Sequence, residues 1–352
     1  MDFEESEEHQ LIRKSVSDLV KQIPEAYWRE IDLKAEFPQE LWNRLAENGW
    51  FGVNVPAEYG GAGLGHVECS IVMHETARSG AGSSANILLS PYLAAKALTY
   101  YGSKEAKEKF LPDLARGKLV CCIAVTEPNA GVDTLSITTS AEKRNGEYVV
   151  NGQKVWITLA HLADLMLLLV RTTPIDKVKR RTQGLSVFIV ELKKQQPRIV
   201  RIEDVVMRTN SSNEVFFEDL RVPEENLLGQ QDNGWEVLTA IFNLERVLTA
   251  SMSIGLGELA LSKAVRYASE RIVFGRPIGQ NQGIQFPLAE AKMLLESSWL
   301  LTQKAAWLLD KNKPAAFETN TAAFLAARAA NFAVDRAMQT FGGMAYARDN
   351  DV

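Results

Sequence analysis

The chain has 352 residues, of which 46% are hydrophobic and 24% charged, so it can bury large cores and has an ordinary globular composition. Its formal net charge of -5 gives no general attraction to nucleic acid or to an anionic membrane. We expect no apolar run long enough to span a bilayer, and the acidic start MDFEESEEHQ is unlike a signal or transit peptide. We therefore predict a soluble protein that is not secreted, cytoplasmic in a bacterium or a processed matrix protein of a eukaryotic organelle.

The cysteines and histidines show neither metal-ligand spacing nor a disulfide framework. They are Cys69, Cys121, Cys122, His9, His66, His74 and His161. The adjacent Cys121 and Cys122 are interpreted as small buried residues that open a strand. No metal site is predicted.

Helical periodicity predicts an N-terminal helical domain over residues 1–118. The predicted helices cover about 8–20, 38–48, 67–79, 91–101 and 103–116. Pro38 in the first turn of the second helix and Gly49 after its end show the expected asymmetry of helix termini. The glycine-rich stretch 55–65 follows no clear strand and has the wrong spacing for a dinucleotide fingerprint, so it is interpreted as a loop.

From Leu119 the pattern changes to short β-branched and aromatic runs between turn residues, which predicts a small β-barrel or sandwich over 119–231. The predicted strands cover 119–125, 165–171, 185–192 and 215–223. The stretch 147–158, EYVVNGQKVWIT, predicts a hairpin that turns at Asn151-Gly152.

Helical periodicity returns at Gly234, and Pro314 separates the last two helical segments. The three predicted helices cover 234–271, 281–312 and 315–341. Segregated helices and strands exclude an alternating βαβ chain. The predicted fold class is α+β multidomain, with an N-terminal α-helical domain (1–118), a middle β-domain (119–231) and an incomplete C-terminal antiparallel helical bundle (232–352).

Two charged residues, Glu245 and Arg246, lie side by side in the long apolar segment that starts at Gly234. Apolar residues recur around them at helical spacing; these are Ile241, Leu244, Val247 and Leu248. Such a helix is expected to be buried in a bundle. Because a buried charge is costly unless it is paired or used, the two residues are either a structural ion pair or a general base and its neighbour.

Other polar and aromatic residues lie at the edges of the predicted domains, and clefts between domains are preferred ligand sites. Trp156 is either a core aromatic residue or a flat wall against a flat cofactor, with Thr158 as a hydrogen-bond donor. Arg271 ends the long helix, where a cation is also favoured by the helix dipole alone.

Six stretches carry distinctive motifs over essentially the whole chain: 55–65 (VPAEYGGAGLG), 125–131 (VTEPNAG), 151–158 (NGQKVWIT), 216–223 (FFEDLRVP), 271–275 (RIVFG) and 339–343 (QTFGG). Taken together and in this order, they resemble the acyl-CoA dehydrogenase family. The resemblance implies the three-domain fold, bound FAD and a homo-oligomer, either a dimer or a tetramer built as a dimer of dimers. It also implies an acyl-CoA substrate from fatty acid β-oxidation and an electron-transfer flavoprotein as electron acceptor.

The resemblance further implies the cofactor contacts. Residues of the middle domain are expected near the flavin ring; they are Ile123, Val125, Thr126, Val132, Trp156 and Thr158. Arg271, Phe274 and Gln282 are expected to hold the pyrophosphate and adenine half across a subunit boundary, since arginine pairs bidentately with phosphate. Gln339, Gly342 and Gly343 are expected to do the same from the partner subunit, where glycine allows close backbone approach.

In the reaction that the family implies, a carboxylate takes the α-proton of an acyl thioester and the β-hydrogen leaves as hydride to flavin N5. The product is a trans-2-enoyl thioester.

Most members place the glutamate near the C-terminus, in a segment resembling Tyr-Glu-Gly-Thr, and usually continue some tens of residues beyond the position of Val352. A minority, resembling isovaleryl- and long-chain-type enzymes, place it on the long helix before an arginine. Glu245 is therefore predicted to be the base, with Asn243 and Arg246 at the substrate.

The sequence also departs from the family pattern. Val132 replaces a common serine near the flavin and thioester, Leu159 a common asparagine, Asn243 a common aspartate, and Ala345 interrupts the usual Gly-Gly-x-Gly.

The alternative functions are an acyl-CoA oxidase, a related flavin monooxygenase, whose members generally lack the glutamate, or a catalytically inactive scaffold. Periodicity does not resolve the depth of an acyl pocket, so chain length and branching stay open.

Overall fold

The structure is a computed structural model that describes residues 4–347 and 350. Its helices are α1 (Glu7–Lys21), α2 (Glu25–Lys34), α3 (Gln39–Glu47), α4 (His66–Thr76), α5 (Leu89–Tyr101), α6 (Lys104–Ala115), α7 (Leu192–Gln195), α8 (Gly234–Glu270), α9 (Gln282–Asp310) and α10 (Ala316–Phe341). Its strands are β1 (Cys121–Ala124), β2 (Ser140–Arg144), β3 (Glu147–Lys154), β4 (Leu165–Arg171), β5 (Leu185–Glu191), β6 (Arg198–Arg201), β7 (Asn213–Pro223), β8 (Leu227–Leu228), β9 (Ile272–Val273) and β10 (Arg276–Pro277).

The chain folds as two compact units. The first unit comprises Met1–Glu30, Gly65–Asn86 and Asn243–Val352, and the second comprises Ile31–Leu64 and Ile87–Phe242. Helix α8 starts in the second unit and continues into the first, where its part begins at Asn243. The boundaries of the three predicted domains stay predictions.

A mixed eight-stranded sheet forms the centre of the second unit. Its strand order is β6-β7-β3-β2-β4-β5-β8, with β1 paired to β4. Strand β4 is parallel to β1 and antiparallel to β5, and all its residues are buried, as its continuous apolar run predicts. Cys121 and Cys122 open β1 with buried side chains, as predicted. The order of helices, sheet and helices along the chain confirms the fold class.

The predicted hairpin turn at Asn151-Gly152 is wrong. Strand β3 runs through both residues, and its pairing with β7 shifts register between Val150 and Gly152. A Cβ on Gly152 would come within 2.8 Å of the Thr139 side chain, so glycine there permits a close approach rather than a turn. The real turn joins β2 to β3 at Asn145-Gly146, where both residues have positive φ, as a primed hairpin turn requires.

Packed helices build the first unit: α1, α4, the part of α8 from Asn243 onward, α9 and α10. The short connection 311–315, which contains Pro314, joins α9 to α10 as antiparallel neighbours. Helix α10 buries mostly alanine, which lets neighbouring helices approach closely. These three C-terminal helices confirm the predicted bundle segments to within a few residues.

Helix α7 and strands β2, β8, β9 and β10, each of five residues or fewer, were not predicted. Two further elements were also not predicted, and both lack a strong periodic signal. Helix α2 buries only Ile31, and strand β6 is short and mostly exposed. Neither carries a predicted site residue, so the site prediction is unaffected.

The expectation that no apolar run could span a bilayer is wrong for helix α8. Within residues 4–347 and 350, α8 is long and apolar enough to cross a bilayer by length and composition, although no such run was expected. Half of its most apolar 18-residue window is buried inside the protein. Its residues Val247, Ile254 and Leu261 belong to the core of the first unit, so packing accounts for the apolar composition.

Candidate active site

The middle-domain residues predicted to face a flavin lie on two adjacent segments of the second unit. One segment, 125–127, follows β1, and the other, 155–159, follows β3. Val155 N donates a hydrogen bond to Thr126 O at 2.9 Å, which fixes the two segments side by side. The structure therefore places Thr126, Trp156 and Thr158 on neighbouring segments, and their contact with a flavin stays a prediction.

Along the segment 155–159, buried side chains alternate with more exposed ones. Val155, Ile157 and Leu159 are buried, whereas Trp156 is 59% exposed and Thr158 is half-buried. Trp156 has a φ of +63°, an uncommon value for a residue with a side chain. The interpretation of Trp156 as a core aromatic residue is therefore wrong, and its ring is available to a ligand.

The other predicted flavin neighbours differ in exposure. Ile123 and Thr126 are half-buried, Val125 is buried and Val132 is fully exposed. Among the residues that the structure describes, the hydroxyls of Thr126 and Thr158 form no hydrogen bond. An exposed indole beside unpaired hydroxyls fits a flat ring system with polar edges, so these residues are compatible with FAD.

A buried ion pair that the sequence reasoning missed lies beside these segments. Lys154 Nζ donates to Val125 O at 2.8 Å and to Glu127 Oε1 at 2.9 Å. Burial lowers the pKa of Lys154 to about 8, against the opposing effect of Glu127. Burial alone would raise the pKa of Glu127, but Lys154 and hydrogen bonds from Thr138 and Thr139 lower it to about 2. Both residues lie in stretches that carried the resemblance, but sequence patterns do not show which charges are buried.

Glu245 lies on α8 in the first unit and is half-buried. Burial raises the pKa of its carboxyl, and the charge of Arg246 opposes this rise. Its carboxylate makes no hydrogen bond or salt bridge to any residue in the described part of the chain. Among the described residues, no salt bridge supports the interpretation of Glu245 and Arg246 as a structural ion pair.

Asn243 and Arg246 form their own small network on the same turn. Arg246 Nη1 donates to Asn243 Oδ1 at 3.3 Å, and Thr319 Oγ1 of α10 donates to the same oxygen at 3.3 Å. These bonds connect α8 to α10 next to Glu245. Arg246 therefore approaches a neutral amide, while the carboxylate beside it keeps its lone pairs free.

The residues predicted to hold the adenine half of FAD lie at one end of the first unit. Arg271 and Phe274 follow the end of α8, and Tyr267, one turn earlier, stacks on Phe341 of α10 with ring centroids 4.3 Å apart. Gly342, next to Phe341, has a φ of +60° and ψ of -134°, a conformation that favours glycine.

All of these predicted residues are exposed in the single chain. They are Arg271, Phe274, Gln282, Gln339, Gly342 and Gly343. Phe274 is wholly exposed and has a φ of +53°. Arg271 lies about 39 Å along the helix axis from Glu245, at 1.5 Å per residue, so the first unit presents two separate groups of candidate residues.

Three family models match the chain in the order of its helical, sheet and helical parts. The N-terminal domain of acyl-CoA dehydrogenases matches residues 6–118, the middle domain 122–220 and the C-terminal domain 232–352. The matches cover most of the sequence and define an oxidoreductase with a three-domain flavoprotein fold. The chain belongs to the acyl-CoA dehydrogenase family, which confirms both the resemblance and the predicted enzyme class.

Individual relatives extend this comparison. The acyl-CoA dehydrogenase FadE12 of Mycobacterium tuberculosis is 36% identical over 345 residues, covering 97% of this chain and 87% of its own. CarC, a subunit of the caffeyl-CoA reductase-Etf complex of Acetobacterium woodii, is 33% identical, covering 99% and 91%. A glutaryl-coenzyme A dehydrogenase in complex with glutaryl-CoA superposes with a TM-score of 0.94 at 29% identity, covering 99% and 89%.

Proposed function

We propose that the protein dehydrogenates an acyl-CoA thioester to the trans-2-enoyl thioester, with Glu245 as the base that takes the α-proton. The observation that carries the proposal is a half-buried carboxylate on an apolar helix that has no hydrogen-bond or salt-bridge partner among the described residues. Burial raises the pKa of this carboxyl, which makes the carboxylate a stronger base than an ordinary exposed one. The neighbouring Arg246 charge opposes this rise.

FAD is the proposed cofactor, and when bound it supplies the acceptor for the β-hydride. Trp156 would lie against the ring, and Thr126 and Thr158 would offer hydroxyls to its polar edge. Arg271 would pair with the pyrophosphate through its planar guanidinium. Phe274, Gln282, Gln339 and the two glycines after Phe341 would complete the adenine half.

The proposed substrate is an acyl-CoA thioester, and the proposed electron acceptor is an electron-transfer flavoprotein. An α-C–H bond is only weakly acidic, so hydrogen bonds to the thioester carbonyl must stabilise the developing enolate. Asn243 and Arg246 are proposed to lie at the substrate beside the base. The similarity to CarC, whose name places it in a complex with Etf, supports the electron partner.

The same similarity favours a second candidate, reduction of an enoyl-CoA. CarC is named a caffeyl-CoA reductase, and the two directions share one transition state. In reduction, Glu245 would return a proton to the α-carbon instead of removing it. The direction in the cell then depends on the potentials of the electron partner and the substrate.

A homo-oligomer is also proposed, because α9 carries an exposed apolar stripe. Phe286, Met293, Leu300 and Trp307 recur every seven residues, so they lie along one face of the helix, and all four are exposed. Such a stripe is typical of a helix that packs against another copy. Light scattering should give a mass of two or four chains, and Met293→Glu combined with Leu300→Glu should lower it.

An anaerobic titration of the purified protein tests the proposed reaction. Straight and branched acyl-CoA thioesters of increasing length should bleach the visible flavin band, and an enoyl-CoA should restore it. Rapid hydrogen peroxide production in air would favour an oxidase. Absence of flavin, or a flavin that no thioester bleaches and no enoyl thioester reoxidises, would contradict the proposal and favour a scaffold.

A further inference from the structure

The buried Lys154–Glu127 pair lies next to the proposed flavin segments but takes no part in the proposed chemistry. Lys154 is fully buried and Glu127 is 5% exposed. Placing both charges out of water is costly, and such a pair adds little net stability compared with apolar residues. The contribution of the pair therefore lies in the segments that it holds in place rather than in net stability.

Glu127 is bound by donors on two sides. Its Oε2 accepts from Thr138 N at 2.7 Å and Thr138 Oγ1 at 2.9 Å. Its Oε1 accepts from Thr139 N and from Lys154 Nζ, both at 2.9 Å. The carboxylate thus joins the segment 125–127 to the start of β2 and to the end of β3.

Lys154 completes the connection. Its ammonium also binds Val125 O at 2.8 Å, and the next residue, Val155, donates its N–H to Thr126 O at 2.9 Å. The main-chain oxygens of two successive residues are therefore bound to the end of β3. This arrangement leaves the Thr126 hydroxyl and the exposed Trp156 ring free for a ligand.

We infer that Lys154 and Glu127 are positioning residues that hold the Thr126 segment and the Trp156 segment at the separation needed to bind one flat ring. The inference rests on the proposed FAD site. It concerns the geometry of binding and assigns no proton transfer to either residue. Neither residue touches the substrate in this account.

Three variants separate positioning from folding. Lys154→Met removes the ammonium but leaves the Glu127 charge buried, so it can also destabilise the fold. The double variant Glu127→Gln/Lys154→Met removes both charges; its single amide oxygen can still accept from Thr138, while the acceptor for Thr139 N is lost. Lys143→Met is the matched control, because Lys143 lies on β2 of the same sheet and pairs with Glu224 at the surface.

The readouts are the dissociation constant of FAD from the apoprotein, the visible circular dichroism of bound flavin, and the unfolding temperature. We expect the double variant to unfold at a higher temperature than Lys154→Met, because no charge is left buried without its partner, yet to bind FAD at least about tenfold more weakly than the wild type, as loss of a charged hydrogen bond implies. Its flavin dichroism should change. Lys143→Met should match the wild type in both binding and dichroism.

Wild-type FAD affinity and dichroism in the folded double variant would overturn the inference while leaving the proposed function intact. A double variant that does not fold would also overturn it, because the pair would then be required for folding. If the wild-type apoprotein itself binds no FAD, the proposed function fails and the inference fails with it.

Discussion

Two glutamates of helix α8 have opposite environments. Glu258 lies 3.2 Å from His74 Nε2, without an aligned hydrogen bond, and accepts a hydrogen bond from Lys292 Nζ at 3.0 Å. Burial would raise its pKa, but these partners lower it to about 2. Burial also acts on Glu245 and raises its pKa, and among the described residues only the charge of Arg246 opposes this rise. Partners, rather than the helix or the residue type, decide whether a buried carboxylate holds the fold or remains available as a base.

The largest expected effect comes from Glu245→Gln. Loss of a general base typically slows a reaction by about 10²–10⁴-fold, so flavin bleaching by acyl-CoA should slow by about 10³-fold while FAD stays bound. Stopped-flow absorbance measures the rate. Glu258→Gln, the same change on the same helix, is the control and should bleach at a rate near the wild type. Equal rates in the two variants would show that Glu245 is not the base.

For the free energy of unfolding, the larger effect is expected from Glu258→Gln and the smaller from Glu245→Gln. Glu258→Gln should lower the free energy of unfolding by about 3 kcal/mol, because it removes one partner from a buried network. Glu245→Gln should leave it unchanged or raise it, since an unpaired carboxyl is removed. Urea denaturation at neutral pH measures both, and a smaller loss for Glu258→Gln than for Glu245→Gln would contradict the assignment of roles.

The stabilising effect of Glu258 should disappear in acid. Its pKa is about 2 in the folded protein, below the ordinary value of 4.5, so its contribution is fully present above pH 4.5 and is lost as the pH falls toward 2. The stability difference between wild type and Glu258→Gln should shrink over that range in denaturation curves. A difference that does not change with pH would show that the carboxylate charge is not the cause.

The smallest expected effect is a shift in the pH profile. A base must be deprotonated, so kcat/KM should fall as the pH drops through the pKa of Glu245, which burial raises above its ordinary value of 4.5. Arg246→Gln removes the opposing charge and should move this fall in kcat/KM to higher pH. Arg246→Lys keeps the charge and should leave the fall near its wild-type pH. An equal shift in both variants would indicate a steric cause.

Much of the fold follows from local patterns, and the errors have identifiable causes. The long helices near Pro314 were predicted because their periodicity is strong, and the fully buried strand β4 because its apolar run is continuous. The turn was placed at Asn151-Gly152 instead of Asn145-Gly146, because both dipeptides carry the same signal and only packing against Thr139 distinguishes them.

The candidate site was predicted unevenly for the same reason. Glu245 and Trp156 lie in motifs, so the sequence could indicate them. The partners of Glu258 come from α4 and α9, distant in sequence, and the burial of Lys154 depends on the whole sheet. Tertiary environment, which sets the pKa values and the partners, has no local sequence pattern.

Hydrogen exchange at the α-carbon tests the central claim most directly. With the flavin already reduced, hydride transfer is blocked, and proton transfer can be followed alone by incubating a saturated acyl-CoA in D2O and measuring α-deuteration by NMR. The account predicts exchange with the wild type and with Glu258→Gln, but not with Glu245→Gln. Exchange at the wild-type rate in Glu245→Gln would contradict the assignment of Glu245 as the base.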